Sequence, residues 1–426
     1  MICFHCDTEG AFRKSSGAYA CFSPFGVYDA WGSEPSRGDL ALSRIEKLEA
    51  YVLSVIEGRR SGTWPATLQV FLRILSWIFG AIVQARLALY QFGILRYHAL
   101  GCQILSVGNL TVGGTGKTPI VEVFARELAS RGRKVAILSR GYKMKEPLFL
   151  LRVLRTLTLQ SRREPPPVVS DGTQVLLNSK EGGDEPYMLA TNLPGVVVIV
   201  GKDRVKSGRH AIKKFKCNTL ILDDGFQNLH LKHRLDIVLV DRTNPFGNGR
   251  LLPCGVLREP IRNLKRAGFV FITKSTGDGA IELKKTLREL NPDAPISECR
   301  HCARHLQNVY TREQRPLEAL RGLTIAAVSG IAVPKSFEDE LIRLGATVRY
   351  HKRYTDHHRY APTEILDVID RAVSLGCQAV LTTEKDAVRF PPLDDRRVPI
   401  LFLRVEIEML SGQEGFHDWI SRICFA

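Results

Sequence analysis

The sequence lacks the features that define several protein classes. Its ten cysteines are too sparse for the dense disulfide framework of a small secreted domain, so we expect reduced thiols. No repeat of fixed period is visible, and the first forty residues contain no apolar segment behind a basic start, so we expect no signal peptide. Acidic residues there also argue against a transit peptide, among them Asp7, Glu9, Asp29 and Glu34. The half-sites Cys3/Cys6 and Cys299/Cys302 are not expected to form a joint zinc site.

The chain has an ordinary globular composition with an excess of positive charge. Hydrophobic residues make up 44% and charged residues 24% of the chain, which excludes a collagen, a coiled coil and a wholly disordered chain. Sixty Lys and Arg against 44 Asp and Glu give a net charge of +16 over 426 residues. Such a surface favours an anionic partner: nucleic acid, anionic lipid or a phosphorylated substrate. The length predicts two to three domains.

The N-terminal part divides into two patterns. Residues 1–63 predict a poorly ordered extension with one helical stretch, Leu40–Ile56. Residues 64–98 predict a long apolar helix whose charge-free runs are shorter than the about 20 residues that cross a bilayer. This helix fits a buried core helix, which the pattern alone favours, or an interfacial helix with Trp64 and Trp77 at the headgroups.

From residue 99 onward short apolar strands alternate with helices, which predicts parallel sheets with crossover helices. The predicted strands are Ile104–Val107, Val135–Leu138, Val196–Val200, Thr219–Leu222, Ile237–Val240, Phe269–Ile272, Ile325–Val328, Ala379–Thr382 and Ile400–Leu403. The predicted helices are Thr118–Ser130, Asp203–Phe215, Ala280–Leu290, Lys335–Leu344 and Thr363–Val373. Segment 143–170 breaks the alternation and predicts an insert, either a loop or an appended helix.

A phosphate-binding loop is the strongest motif in the sequence. Gly108–Pro119 follows a strand and opens a helix, which is the context that such a loop requires. Lys117 is expected to reach the β- and γ-phosphates and Thr118 to bind Mg²⁺. The loop residues expected to hold the nucleotide with them are Thr111, Val112, Gly113, Gly114, Thr115 and Gly116. Asp223 and Asp224 end a later apolar strand, where one carboxylate of such proteins holds Mg²⁺.

Other polar clusters are ambiguous from the residues alone. Asp184 either caps a helix or lies near the γ-phosphate, where it takes a proton from an acceptor hydroxyl. His357 either orients a carboxylate or belongs to a polar turn. Glu259 ends a loop bounded by Pro and Gly, and Glu384 follows a strand end, where α/β proteins bind ligands.

In this order the motifs resemble those of the tetraacyldisaccharide 4'-kinase family of lipid A synthesis. The resemblance spans residues 64–424 and is carried by Ser106–Asn109, Gly113–Pro119, Ser139–Tyr142, Gly183–Pro186, Asp223–Gln227, Asn244–Gly249, Leu252-Pro253, Leu257–Pro260, Asp356–His358 and Thr383–Ala387. It implies an α/β fold: a P-loop NTPase core at 99–320 with a parallel sheet flanked by helices, and a smaller α/β domain at 321–426. It also implies that residues 64–98 form a membrane-associating helix, which reverses the preference for a core helix.

The resemblance further implies ATP and Mg²⁺ as cofactors. The acceptor would be the 4'-hydroxyl of a tetraacyl glucosamine disaccharide 1-phosphate held in a membrane. Asp184 would be the general base with His357 as its partner, and Lys117 would bind phosphate. The residues expected at the metal are Thr118, Asp223, Asp224 and Glu259.

The expected partners are the lipid substrate and an anionic membrane surface, with no nucleic acid and no obligate protein partner. The expected site is the ATP-containing side of a membrane, the cytoplasmic face of the inner membrane in a bacterium. The extension at 1–63 is unlike the N-terminus of a bacterial family member. It suggests a eukaryotic protein, for which the expected location is a mitochondrion or plastid. The alternative function is a P-loop ATPase or GTPase of switch or metallochaperone type without a lipid acceptor. The sequence has no Asn-Lys-x-Asp guanine-reading motif between its strands, which counts against GTP.

Overall fold

The computed structural model describes residues 51–141 and 164–425, apart from residues 53, 57, 58, 61 and 396. Cys3/Cys6, residues 1–50 of the extension expected at 1–63, and residues 142–163 of the expected insert lie outside the described residues. Of the helix predicted at Leu40–Ile56 only the end is described, and residues 51, 52 and 54–56 are helical. The described end of that insert corrects our expectation. Val168–Ser170 belong to a strand rather than to a loop or a helix.

One sheet of thirteen strands runs through the described part of the chain. The strands are β1 Gln103–Asn109, β2 Val135–Ser139, β3 Val168–Asp171, β4 Val197–Val200, β5 Thr219–Asp223, β6 Leu235–Asp241, β7 Phe269–Thr273, β8 Ile296–Asn308, β9 Gln314–Arg315, β10 Thr324–Ser329, β11 Thr347–Arg353, β12 Ala379–Thr383 and β13 Ile400–Ser411. Their order is β11-β10-β12-β13-β8-β7-β6-β1-β5-β2-β4-β3, and β9 pairs with β8. Most neighbours are parallel; β13–β8, β4–β3 and β8–β9 are antiparallel.

Helices cover the faces of this sheet. The α-helices are α1 Thr63–Gln91, α2 Lys117–Ser130, α3 Ser179–Gly182, α4 Asp184–Asn192, α5 Arg204–Phe215, α6 Ile281–Leu290, α7 Pro334–Arg343, α8 Pro362–Ser374, α9 Glu384–Ala387 and α10 Gln413–Phe425. Two 3₁₀ helices span Ile261–Arg266 and Leu317–Leu320. Because both faces are covered, central strands such as β2, with the sequence VAILS, are almost continuously apolar and buried.

The helix boundaries follow from local chemistry. The Asp203 side chain accepts a hydrogen bond from the Lys206 backbone N–H and so begins α5. α8 has Pro362 at its first position, where no N–H is needed, and Glu364 bonds back to the backbone N–H of Ala361. In α2 the apolar residues Phe124 and Leu128 share one face and are fully buried in the central core.

Two long antiparallel strands connect the two ends of the sheet. β8 and β13 pair from Asn308 opposite Leu401 to Glu298 opposite Ser411. Cys299 near one end packs into the core under α2, whereas Leu306 near the other end packs into a core with β10 and β12. After β13 the chain returns to the core under α2 through Phe416 of α10. The domain boundary expected at residue 320 stays a prediction.

The strands and helices predicted from residue 99 onward are all present, and the α/β fold class is confirmed. The helix predicted at 64–98 is shorter and ends at Gln91. The sequence analysis missed the strands β3, β8, β9 and β11 and the helices α3, α9 and α10. β8 and β11 were missed because their apolar residues are interrupted by charged and polar ones: β8 reads ISECRHCARHLQN and β11 reads TVRYHKR. Each strand is stabilised by its neighbours rather than by an apolar run of its own.

The long helix α1 packs against the protein by one edge only. Its buried residues are Leu72, Ser76, Gly80, Leu87 and Tyr90. Ser76 Oγ donates to the carbonyl of Leu251 at 2.8 Å and accepts from the backbone N–H of Cys254 at 3.0 Å. The opposite side exposes large apolar side chains, including Trp64 at 81% and Trp77 at 83%. The core-helix interpretation of the bare pattern is therefore wrong. By length and composition alone, α1 is also able to cross a bilayer.

Candidate active site

The phosphate-binding loop joins β1 to α2 and is held from several sides. Asn109 at the end of β1 is buried, and its Nδ2 donates to Thr115 Oγ1 at 3.0 Å. Lys117 Nζ donates to Asn109 Oδ1 at 3.3 Å. Thr273 Oγ1 at the end of β7 donates to the carbonyl of Thr115 at 3.0 Å. These bonds fix the loop before any phosphate binds.

Glycine is required at the last position of the loop. Gly116 has φ 79°, the left-handed region, and α2 begins at the next residue. A Cβ at Gly116 would lie 2.8 Å from Cε1 of His301 on β8. The imidazole of His301 therefore covers the phosphate loop, and burial together with Lys274 lowers its pKa.

Three carboxylates lie at the end of β5 and the start of α4. Asp223 is buried and accepts from Ser139 Oγ at 2.9 Å. Burial, followed by the negative charges of Glu185 and Asp224, raises the pKa of Asp223 to about 6. Burial also opposes ionisation of Glu185, but Lys385 at 3.1 Å and the charge of Lys117 hold its pKa below the usual value.

Asp224 is the ion-pair partner of the loop lysine. It has φ 54° and lies 3.6 Å from Lys117 Nζ. Arg258 Nη1 donates to both Asp224 oxygens at 2.8 Å. Burial raises the pKa of Asp224, but Lys117 and Arg258 outweigh burial, so that the pKa is lowered.

These donors suit Mg²⁺ bound jointly with a nucleotide. The local negative charge comes from Asp223, Asp224 and Glu185. The buried hydroxyl of Thr118, the residue after Lys117, would be a further oxygen ligand for the ion. Within the described ranges no three His, Cys, Asp or Glu side chains converge as a metal site of their own. Mg²⁺ usually takes one or two carboxylates and completes its shell with phosphate oxygens and water. The residues present fit that arrangement.

Glu259 has other partners. It is buried, and its Oε2 accepts from Asn263 Nδ2 at 2.8 Å and from Arg266 Nη2 at 2.7 Å. The guanidinium of Arg266 in turn lies 4.2 Å from the ring centroid of Phe226. These contacts make Glu259 part of the support beneath the loop that carries Arg258, and its role at the metal stays a prediction.

Asp184 lies at the first position of α4, and its side chain does not cap the helix. The N-cap is Gly183, and the Asp184 oxygens accept from two arginines of the C-terminal part. Arg359 Nη2 donates to Oδ1 at 2.7 Å and Arg389 Nε donates to Oδ2 at 2.8 Å. His357 Nδ1 lies 3.6 Å from Oδ2. The sequence-predicted pair of Asp184 and His357, 173 positions apart in the sequence, is therefore brought together.

The environment of Asp184 favours its ionised form. Burial raises its pKa, but the nearby His357 imidazole and the charges of Arg389 and Arg359 outweigh burial and lower it. His357 itself has φ 65° and donates its backbone N–H to the carbonyl of Gly330 at 3.2 Å. Its conformation is thus fixed by the loop after β10.

Sequence analysis missed several residues that build this site. Arg389 is almost fully buried and bonds to Asp184, Asp386 and the carbonyl of Gly330. Arg389 Nη2 lies 3.1 Å from His357 Nδ1. His301 was also missed, because nothing in its strand pattern distinguishes it. Arg389 could have been found from its position three residues after Asp386, because side chains at this spacing contact each other in a helical turn.

A cavity of about 790 Å³ lies between α1 and the loop that follows β6. Trp77, Gly80 and Leu251 line it together with Arg73, Arg250 and Arg262. A largely apolar cavity that is lined in part by arginines suits a ligand with apolar and anionic parts.

Comparison with known proteins gives one family. The family model described as tetraacyldisaccharide-1-P 4'-kinase matches residues 68–424. A tetraacyldisaccharide 4'-kinase of Halothermothrix orenii is 36% identical over 381 residues, covering 85% of this chain and 95% of that one. One of Anaeromyxobacter dehalogenans is 42% identical over 346 residues, covering 79% and 85%.

The structure comparison agrees. A crystal structure of LpxK from Aquifex aeolicus in complex with ATP superposes with a TM-score of 0.66 at 29% identity, covering 84% of this chain and 100% of that one. The family expected from the ordered motifs is thereby confirmed, and the alternative of a switch ATPase or GTPase finds no support. With its phosphate loop, its paired carboxylates and its match over 68–424, the chain belongs to the tetraacyldisaccharide-1-P 4'-kinase family.

Proposed function

We propose that this chain transfers the γ-phosphoryl group of ATP to the 4'-hydroxyl of a tetraacyl glucosamine disaccharide 1-phosphate, a step of lipid A biosynthesis. The observation that supports the proposal is that Asp184 meets His357, while its neighbour Glu185 lies within electrostatic reach of the loop lysine. Lys117 acts electrostatically on Glu185, the neighbour of Asp184, so the acceptor side of the site lies next to the loop lysine.

The chemistry that the protein supplies is positioning and charge. The backbone N–H groups at the start of α2 and the Lys117 ammonium face the phosphates, where they neutralise the charge of the transferred group. Arg258 holds Asp224 beside Lys117. Bound Mg²⁺ would neutralise further phosphate charge, with Thr118, Asp223 and Asp224 as its protein ligands. Glu185 adds a third carboxylate close to Asp223.

Asp184 is the group that receives the proton of the attacking hydroxyl. Its lowered pKa keeps it ionised at neutral pH but also makes it a weak base. Such a base suffices where the hydroxyl loses its proton late, after much of the bond to the leaving group has broken. His357 Nδ1, at 3.6 Å from Asp184 Oδ2, offers the proton a second position.

Membrane association through α1 follows from its exposed apolar side. The buried edge of α1 extends from Leu72 to Tyr90, so a span across a bilayer would have to break these contacts with the catalytic core. An interfacial position keeps them and buries Trp64 and Trp77 at the headgroup level. The cavity beside α1 would then open towards the lipid acceptor, and the phosphate loop would face the ATP-containing side of the membrane.

The test uses the full chain in neutral detergent micelles with γ-labelled ATP, with and without the acylated disaccharide 1-phosphate. We expect label on the lipid, and loss of that label in Asp184→Asn with ATP affinity retained. Hydrolysis of ATP that the lipid does not change, with no label on the lipid, would instead support the ATPase or GTPase alternative.

A further inference from the structure

A cluster of basic side chains lies at the end of the sheet opposite the active site. We name it the basic end and define it by Arg96, Lys213, Lys214, Lys216, Lys232 and Arg234, all of them exposed. They lie at the C-terminal end of α5 and just before the first residues of β1, β5 and β6. Within the described part of the chain none of these six side chains forms an ion pair.

Acidic residues are scarce in this region, where Asp236 pairs with His233 at 2.8 Å. Between Arg204 and Arg234 the sequence has only Asp223 and Asp224, which lie at the carboxyl end of β5 in the active site. Segment 92–102 has none. The basic end is thus a patch of one sign, unlike the mixed charge of an ordinary solvated surface.

The basic end is continuous with the apolar surface of α1. After α1 the chain exposes Phe92 at 81% and Ile94 at 68% and then pairs with the segment before β6. His98 N–H donates to the carbonyl of His230 at 2.7 Å, and Lys232 N–H donates to the carbonyl of His98 at 3.1 Å. Apolar and basic side chains therefore lie side by side on a backbone that is fixed by hydrogen bonds.

The helix α5 lies on the same face of the sheet as α1. Strand residues alternate between two faces: Leu105 of β1 packs under α2, whereas Ile104 packs under α5. One contact residue of α1 is Leu251, which packs with Val238 on the face away from α2. Leu100 also touches Gly208 in the middle of α5, where an added Cβ would lie 2.5 Å from Leu100 Cδ1.

We infer that the basic end is a second membrane-contact surface that binds anionic lipid headgroups while α1 inserts into the interface. The inference rests on the membrane association proposed above and adds the lipid class that the surface selects. Lys and Arg beside exposed aromatic and aliphatic residues form the combination that binds anionic bilayers. With two contacts on one face of the sheet, the orientation of the catalytic core on the membrane would be fixed, whereas a single helix leaves the core free to rotate about it.

The test measures vesicle binding by the full chain and by Lys213→Gln/Lys214→Gln. Vesicles of phosphatidylcholine alone are compared with vesicles containing phosphatidylglycerol at low and high salt. Each lysine near an anionic surface contributes about fivefold to the binding constant, so the double variant should bind anionic vesicles about 25-fold more weakly. Its binding to neutral vesicles should be unchanged, because α1 is intact.

The matched control is Lys352→Gln/Arg371→Gln, which removes two exposed positive charges from β11 and α8. We expect the control to bind both vesicles within about twofold of the unmodified chain. Equal binding of the unmodified chain and the Lys213/Lys214 variant to anionic vesicles would overturn the inference. A second result would also overturn it. If the unmodified chain bound duplex DNA more tightly than anionic vesicles at equal phosphate and salt concentration, and the Lys213/Lys214 variant lost this preference, the patch would be a nucleic-acid surface.

Phosphoryl transfer in neutral micelles separates this inference from the proposed function. The basic end is remote from the phosphate loop, so both double variants should keep the transfer rate of the unmodified chain. If the chain binds vesicles but transfers no phosphoryl group, only the proposed function is refuted. If it transfers the group but the Lys213/Lys214 variant binds anionic vesicles as tightly as the unmodified chain, only the inference about the basic end is refuted.

Discussion

Replacing Asp223 by Asn should make the nucleotide-free protein more stable at alkaline pH. The Asp223 carboxyl is buried at the end of β5, beside Glu185 and Asp224, and these surroundings raise its pKa to about 6. Asn keeps an oxygen that accepts the hydrogen bond from Ser139 Oγ but carries no charge. The variant therefore removes an unfavourable ionisation without removing a contact.

The magnitude and the sign follow from the two pKa values. A pKa of about 6 in place of the ordinary 3.8 corresponds to at most ~3 kcal/mol. Below pH 3.8 the carboxyl is protonated in both the folded and the unfolded chain, so it costs nothing. The cost appears as the pH rises and is complete above about 6. With an unfolding entropy of about 2.1 cal/mol/K per residue, ~3 kcal/mol corresponds to ~3–4 °C for a chain of this size.

The assay is thermal unfolding at pH 5 and pH 8, with and without ATP and Mg²⁺. Without nucleotide, Asp223→Asn should melt above the unmodified chain, by more at pH 8 than at pH 5. With nucleotide the order should reverse, because binding to the folded state stabilises it and the variant lacks a charged metal ligand. A variant that melts lower than the unmodified chain at pH 8 without nucleotide would refute the argument from burial.

The neighbouring residue provides a control of opposite sign. The pKa of Asp224 is lowered because Lys117 and Arg258 outweigh burial, so its charge stabilises the fold. That contribution is present above the ordinary pKa of the carboxyl and is lost as the pH falls. Asp224→Asn should therefore melt below the unmodified chain at pH 8 and approach it at low pH.

Four further substitutions test other parts of the protein. Asp184→Asn should lower kcat by about 10²–10⁴-fold with ATP affinity kept, whereas Lys117→Ala should lower both, as measured by label transfer and calorimetry. Gly116→Ala forces a left-handed alanine against His301 and should weaken ATP binding about tenfold or more; an ATP Kd within twofold of normal would contradict the required glycine. Trp77→Ser should weaken binding to neutral vesicles about tenfold, and unchanged flotation with such vesicles would exclude α1 as the membrane contact.

The interpretation of α1 shows where sequence patterns reach a limit. Its apolar residues occur all round the helix, so composition predicts burial, in protein or in lipid, without distinguishing the two. The structure distinguishes them, because only one edge touches the core and Trp77 faces outward. The strands β8 and β11 show the same limit, since their stability comes from pairing with distant partners.

The sequence by itself determined the local parts of this protein. The glycines of the phosphate loop, the strand before it and the helix after it were predictable, because turn conformation, capping and apolar periodicity act between near neighbours. The order of the motifs also determined the family. Only the tertiary structure decided what surrounds each functional group. Arg359 and Arg389 reach Asp184 from about two hundred residues away, and His301 covers Gly116. Such contacts depend on how the sheet and its helices pack. Packing brings together residues that are far apart in the sequence, and their spacing along the chain does not predict the contact.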